Sequence, residues 1–134
     1  MAAARRFYVV KYIWLPDLLV EFQIARGSGT VCKLMAQYRK YALLIIDEWL
    51  LYPLKETEAR DLLEIVESRY KRNSTIFCSQ FDIPGWPEKL SDLLLADAIC
   101  DRIVYDAYTI VIGGKEPMRK RQGLHLTPTI FMIP

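Results

Sequence analysis

A chain of 134 residues suits one domain, since single domains run to roughly 100–200 residues, and 52% hydrophobic with 25% charged residues is enough to bury a core and excludes a disordered chain. The net charge of +2 names no partner, but it is unevenly spread: residues 1–14 carry Arg5, Arg6 and Lys11 with no acid, and residues 115–134 carry four bases against Glu116, leaving the middle acidic. Basic ends permit phosphate contacts, although short terminal clusters are also ordinary solvated tails. Cys32, Cys78 and Cys100 form no C-x-x-C and have only His125 as a possible companion, which excludes a zinc site and suits a reducing cytosol. The longest aliphatic run, Ala42–Ile46, is far short of the ~20 residues that span a bilayer. No apolar stretch of signal-peptide kind follows Arg5-Arg6, so the expected location is cytoplasmic.

In chain order, Phe7–Trp14 is β-branched and aromatic and predicts a strand that ends at Leu15-Pro16. Pro16 and Asp17 suit the first turn of a helix carrying Leu18, Leu19 and Phe22, which Gly27-Ser-Gly29 stops. Val31, Leu34, Met35 and Tyr38 predict a second amphipathic helix. Ala42–Ile46 then reads as a strand buried on both faces, closed by Asp47-Glu48. A longer helix is predicted from Glu56 to Lys71, with Leu62, Leu63, Val66 and Tyr70 inward, acids early and bases late. Thr75–Cys78 predicts another strand, Phe81–Leu90 a loop around Trp86, Leu93–Ile103 a helix, and Tyr108–Ile112 a last strand before Gly113-Gly114. Strands alternating with helices mean an α/β domain with a mainly parallel sheet.

Ligands in such sheets sit at the carboxyl ends of the strands. Asp47-Glu48 after an apolar strand has the form of a Walker B motif: the rigid strand fixes an acid for Mg²⁺ on nucleotide phosphates, and the second acid orients a water. The alternative is a strand that simply ends in polar residues. Ser79-Gln80, a crossover helix later, supplies an amide where an NTPase positions its attacking water. The third expected part, G-x-x-x-x-G-K-[ST], is nowhere among the 134 residues, and Gly27–Lys33 lacks its spacing. Arg102, with Asp97, Asp101 and Asp106 nearby, reads as an intrachain ion pair, and Arg119 as part of a basic tail or a phosphate contact. Trp49 and Trp86 read as packing residues, and His125 is assigned nothing.

Several segments together resemble a known family. Leu44–Trp49, Glu58–Leu63, Arg69–Ile76, Ser79-Gln80, Leu95–Ile99, Asp101–Ile103 and Met118–Leu124 are similar, in order, to the IstB-like transposition helper ATPases. Those proteins resemble the helicase loader DnaC and share its AAA+ P-loop fold. The resemblance implies a three-layer parallel-sheet P-loop NTPase domain over residues 1–124, with 125–134 unassigned, lacking the first strand and the P-loop. It also implies ATP and Mg²⁺ as cofactors, and DNA, a transposase and further copies of the protein as partners. Asp47 takes the role of magnesium-binding acid and Glu48 that of catalytic glutamate. Gln80 stands where the first sensor usually has Asn. Arg102 matches the arginine-finger region, and Arg119 the second sensor, with Pro117 where the family commonly has Ser.

On this resemblance the chain starts after the phosphate-holding segment, Ala2–Arg6 matching only the last turn of its helix. The expectation is a helper fragment with impaired ATP hydrolysis. The alternatives are a non-catalytic remnant acting by association with DNA or intact homologues, a DnaC-like loader, and a working ATPase whose true start lies upstream. In the AAA+ order the first strand lies between the fourth and fifth, and one expectation is that Thr129–Ile133 fills that gap.

Overall fold

The alternation of buried and half-buried residues along the strands sets the architecture. In a computed structural model describing residues 9–50, 52–79, 93–104, 107–111 and 129–133, the elements run β1 (Val10–Trp14), α1 (Leu15–Ser28), α2 (Val31–Lys40), β2 (Leu43–Trp49), α3 (Glu56–Arg69), β3 (Ser74–Ser79), α4 (Leu93–Val104), β4 (Tyr108–Val111) and β5 (Thr129–Ile133). Ile13, Leu44, Ile46 and Phe77 point to one face of the sheet. There they join Leu18 and Phe22 of α1, Tyr38 of α2, Leu62 and Ile65 of α3, and Ile99 and Ile103 of α4 in one core. The alternate residues, among them Ile45, Ile76 and Cys78, are half-buried. The described residues thus supply the sheet and one helical layer.

Local chemistry explains the helix ends. Pro16 and Asp17 open α1, and Gly29, at φ 71°, closes it in the left-handed conformation that glycine adopts without a Cβ penalty. The Glu58 carboxylate accepts from the Lys55 backbone N–H at 2.8 Å, satisfying a donor at the start of α3. Arg69 is the predicted base at the other end, yet it does not serve the dipole from solvent. It is 1% exposed. Its guanidinium donates to Thr75 Oγ1 at 2.9 Å and to the carbonyls of Tyr38, Tyr41 and Ser74 at 2.8, 2.6 and 2.6 Å. Burial lowers its pKa to about 10, which leaves it charged at neutral pH. One side chain therefore ties the end of α3 to α2 and to the starts of β2 and β3. An ion pair between exposed Arg26 and buried Asp61 links α1 to α3.

The sheet order is β1-β2-β3-β5-β4. β1, β2 and β3 pair in parallel. β5 runs antiparallel to both of its neighbours, β3 and β4. It therefore lies in the position that the AAA+ order gives to the first strand, as the composition of Thr129–Ile133 allowed, but in the reverse direction. The predicted Phe81–Leu90 loop lies outside the described residues. Among those residues no helix is long and apolar enough to cross a membrane, and the three cysteines are free.

Candidate functional site

The carboxyl end of β2 departs from the expectation in one respect. The strand does not close before the acids but continues through them to Trp49. Trp49 and Leu50 are fully buried, and the Trp49 ring meets Phe77 edge-on with centroids 4.6 Å apart. Burying them draws the chain onward and displaces the acids: the register with β3 shifts between Ile46 and Trp49, a bulge that contains Asp47 and Glu48. Glu48 and Leu50 take φ values of 56° and 55°, a conformation that costs a non-glycine residue about 1–2 kcal/mol. Ser79 Oγ, at the end of β3, donates to the Trp49 carbonyl at 3.2 Å and secures the same turn.

The two acids point to different sides of β2, as successive residues of a strand do. Asp47 lies opposite Trp14 in the β1–β2 register, on the face that also carries Tyr12, two residues back. Asp47 Oδ1 accepts from the Glu48 backbone N–H at 2.8 Å, and Oδ2 accepts from the Tyr12 hydroxyl. The Tyr12 oxygen in turn accepts from Trp14 Nε1 at 3.0 Å. The hydrogen bond to Asp47 raises the Tyr12 pKa above its ordinary value, with desolvation adding to it. Cys78 is raised mainly by burial and then by the charge on Asp47. Glu48 instead lines a cleft of about 220 Å³ between the N-terminal ends of α1 and α3, with Leu15, Pro16, Leu19, Tyr52 and Glu58.

The other candidates are not assembled with them. Arg102 Nε lies 3.7 Å from Glu67 Oε1 and its guanidinium stacks over the Tyr70 ring at 5.0 Å. Both partners sit at the end of α3, on the edge where β3 begins, across the sheet from Asp47. The expected ion pair thus exists with Glu67 rather than with the aspartates of its own helix. Gln80 and Arg119 lie outside the described residues. Tyr12 and Trp14 were missed as site residues. Their two-residue spacing placed them on one face, but only the register showed that Asp47 shares it.

Among the described residues no group of three or more His, Cys, Asp or Glu is placed to hold a metal ion. A single carboxylate at a strand end does not make a protein cage. It does fit Mg²⁺, which keeps several waters and takes one or two carboxylates together with substrate phosphates.

Residues 1–125 match the family model described as IstB-like ATP binding protein. The chain belongs to the IstB-like ATP-binding family. Two insertion sequence ATP-binding proteins of Sinorhizobium fredii are 42% identical over 113 residues, 84% of this chain and 46% of the relative, and 39% identical over 120 residues, 90% and 48%. The ATP-binding protein of insertion sequence IS232 from Bacillus thuringiensis is 31% identical over 115 residues, 86% and 46%. This IstB-like chain therefore spans about half the length of the relatives it matches. Its fold is shared with AMPPCP-bound DnaA from Aquifex aeolicus (TM-score 0.60, 21% identity, 72% of this chain and 30% of that one). A structure titled DNA replication initiation factor matches equally well, with TM-score 0.60, 21% identity, and 73% and 30% covered. The α/β architecture is that of the AAA+ P-loop ATPases.

Proposed function

We propose that this chain is part of an ATP-binding helper protein for DNA transposition, acting in the cytoplasm with a transposase, DNA and further copies of itself. The observation that carries the reading is the Asp47-Glu48 pair at the carboxyl end of β2 in a chain matched from residue 1 to 125 by an ATP-binding family. Asp47 holds the magnesium ion, which when bound neutralises charge on the phosphates of ATP. Glu48 orients the attacking water, Gln80 supplies the sensing amide, Arg119 contacts phosphate as second sensor, and Arg102 serves a neighbouring copy. This role for Arg102 is supported by its half-exposed place on α4 beside Glu67 and Tyr70 rather than beside Asp47. Binding of a fluorescent ATP analogue with and without Mg²⁺ tests the reading. Asp47→Asn should remove the magnesium-dependent part and leave the rest; magnesium-dependent binding that survives the substitution overturns it.

A second reading, association without catalysis, is favoured by the divergence of Asp47 and Glu48 onto different sides of β2 and by the absence of G-x-x-x-x-G-K-[ST] from these 134 residues. On this reading the 134-residue chain does not turn over ATP by itself. Turnover abolished by Glu48→Gln in a clean preparation overturns it. Light scattering of the chain mixed with an intact relative and DNA tests the association directly.

A further inference from the structure

The hydrogen bonds around Asp47 have an enforced direction. An indole N–H is a donor only, so Tyr12 must accept from Trp14, and its own proton is then directed to Asp47 Oδ2. Asp47 Oδ1 is engaged by the backbone N–H of the next residue, a contact that also fixes the carboxylate's rotation. Each oxygen of the acid therefore already receives a proton donor from the protein. A hydroxyl in this orientation presents hydrogen, not a lone pair, toward the carboxylate, so it cannot serve as an auxiliary ligand to an ion seated there. Tyr12 and Trp14 are 53% and 49% exposed and belong to β1, at the edge of the sheet. The clamp can swing into solvent without disturbing the core.

We propose that Tyr12 is a positioning residue that competes with a divalent cation for Asp47: the hydroxyl, oriented by Trp14, holds the carboxylate in an ion-free state, and the cation must displace it. This rests on Asp47 being the metal-binding acid of the proposed function. Binding of the ion to the nucleotide edge is then coupled to release of the Tyr12 side chain from β2. A hydrogen bond to a charged group is worth enough, after allowance for solvent exposure, for its removal to tighten ion binding roughly three- to tenfold.

The test uses the 134-residue chain with Mn²⁺ as the probe, followed by paramagnetic broadening of the Glu48 backbone amide and by water proton relaxation. Tyr12→Phe should bind Mn²⁺ about three- to tenfold more tightly than the native chain, and Asp47→Asn should abolish binding in both backgrounds. The Trp14 indole proton, which loses its acceptor in Tyr12→Phe, should shift in the absence of any ion. An unmoved indole resonance means that the relay does not exist, and overturns the proposal. Unchanged or weaker Mn²⁺ binding in Tyr12→Phe, with Asp47→Asn still abolishing it, overturns the clamp alone. Binding that survives Asp47→Asn, or is absent from every protein, overturns the role of Asp47 and the clamp with it.

Discussion

Among the described residues two tyrosines donate to carboxylates across a sequence gap, Tyr38 to Glu21 and Tyr12 to Asp47, and their surroundings separate a structural pair from a functional one. Tyr38 is 1% exposed. Its ring lies against Phe22 and Tyr41 at centroid distances of 5.9 and 5.5 Å. Its pKa is raised first by desolvation and only then by Glu21. For Tyr12 the order of causes is reversed, the hydrogen bond to Asp47 coming before burial. The same two functional groups hold α1 to α2 in one place and occupy a candidate ligand in the other. Burial of the ring, not the bond itself, decides which.

Substitutions test this contrast most strongly where the whole ring is lost. Tyr38→Ala should cost about 3–5 kcal/mol, the range for emptying a buried aromatic site, whereas Tyr12→Ala should cost less than about 1 kcal/mol; urea denaturation measures both. Equal losses would erase the distinction. Removing only the hydroxyls sharpens it: Tyr38→Phe should lower stability by about 1–2 kcal/mol and Tyr12→Phe by no more than about 0.5 kcal/mol.

Alkaline pH gives a third measure. The folded state holds the Tyr38 proton more tightly than the unfolded chain, where the hydroxyl ionises near pH 10. The stability from this group is thus fully present below about pH 10 and is lost as pH rises beyond it, by at most about 1.4 kcal/mol per pH unit. Tyr12 shifts in the same direction. Denaturation midpoints followed from pH 9 to 11 should flatten more in Tyr38→Phe than in Tyr12→Phe, and the reverse order would place the stabilising pair at β1. A comparably small effect belongs to Arg102. Its pair with Glu67 is half-exposed, so Arg102→Ala should cost no more than about 0.5–1 kcal/mol, including the stack on Tyr70. A larger loss would mark Arg102 as a residue that holds α4 to α3 rather than one available to a neighbour.

Much of the fold was legible in local pattern. The periodicity of Leu18 and Phe22, the stripe Val31–Tyr38 and the charge order of Glu56–Arg69 place three helices within a few residues of their observed ends. The apolar run before Asp47 located the strand that carries the acids. The bulge was not legible, because it arises from burying Trp49 against Phe77, which lies on another strand. Arg69 and Arg102 show the same limit: each looked like a charge at a helix end. One is enclosed by acceptors from α2, β3 and the segment before β2, and the other lies on Glu67 and Tyr70 at the end of α3.

The sequence by itself determined the α/β alternation, the acids at the end of β2 and the membership in an ATP-binding family, because these depend on residues close together along the chain. Tertiary structure alone decided that Asp47 meets Tyr12, 35 residues away. It also decided that Glu48 turns into the α1–α3 cleft and that β5 enters the sheet antiparallel between β3 and β4. Those outcomes follow from strand register and from which side chains can be buried together, quantities that no local period encodes.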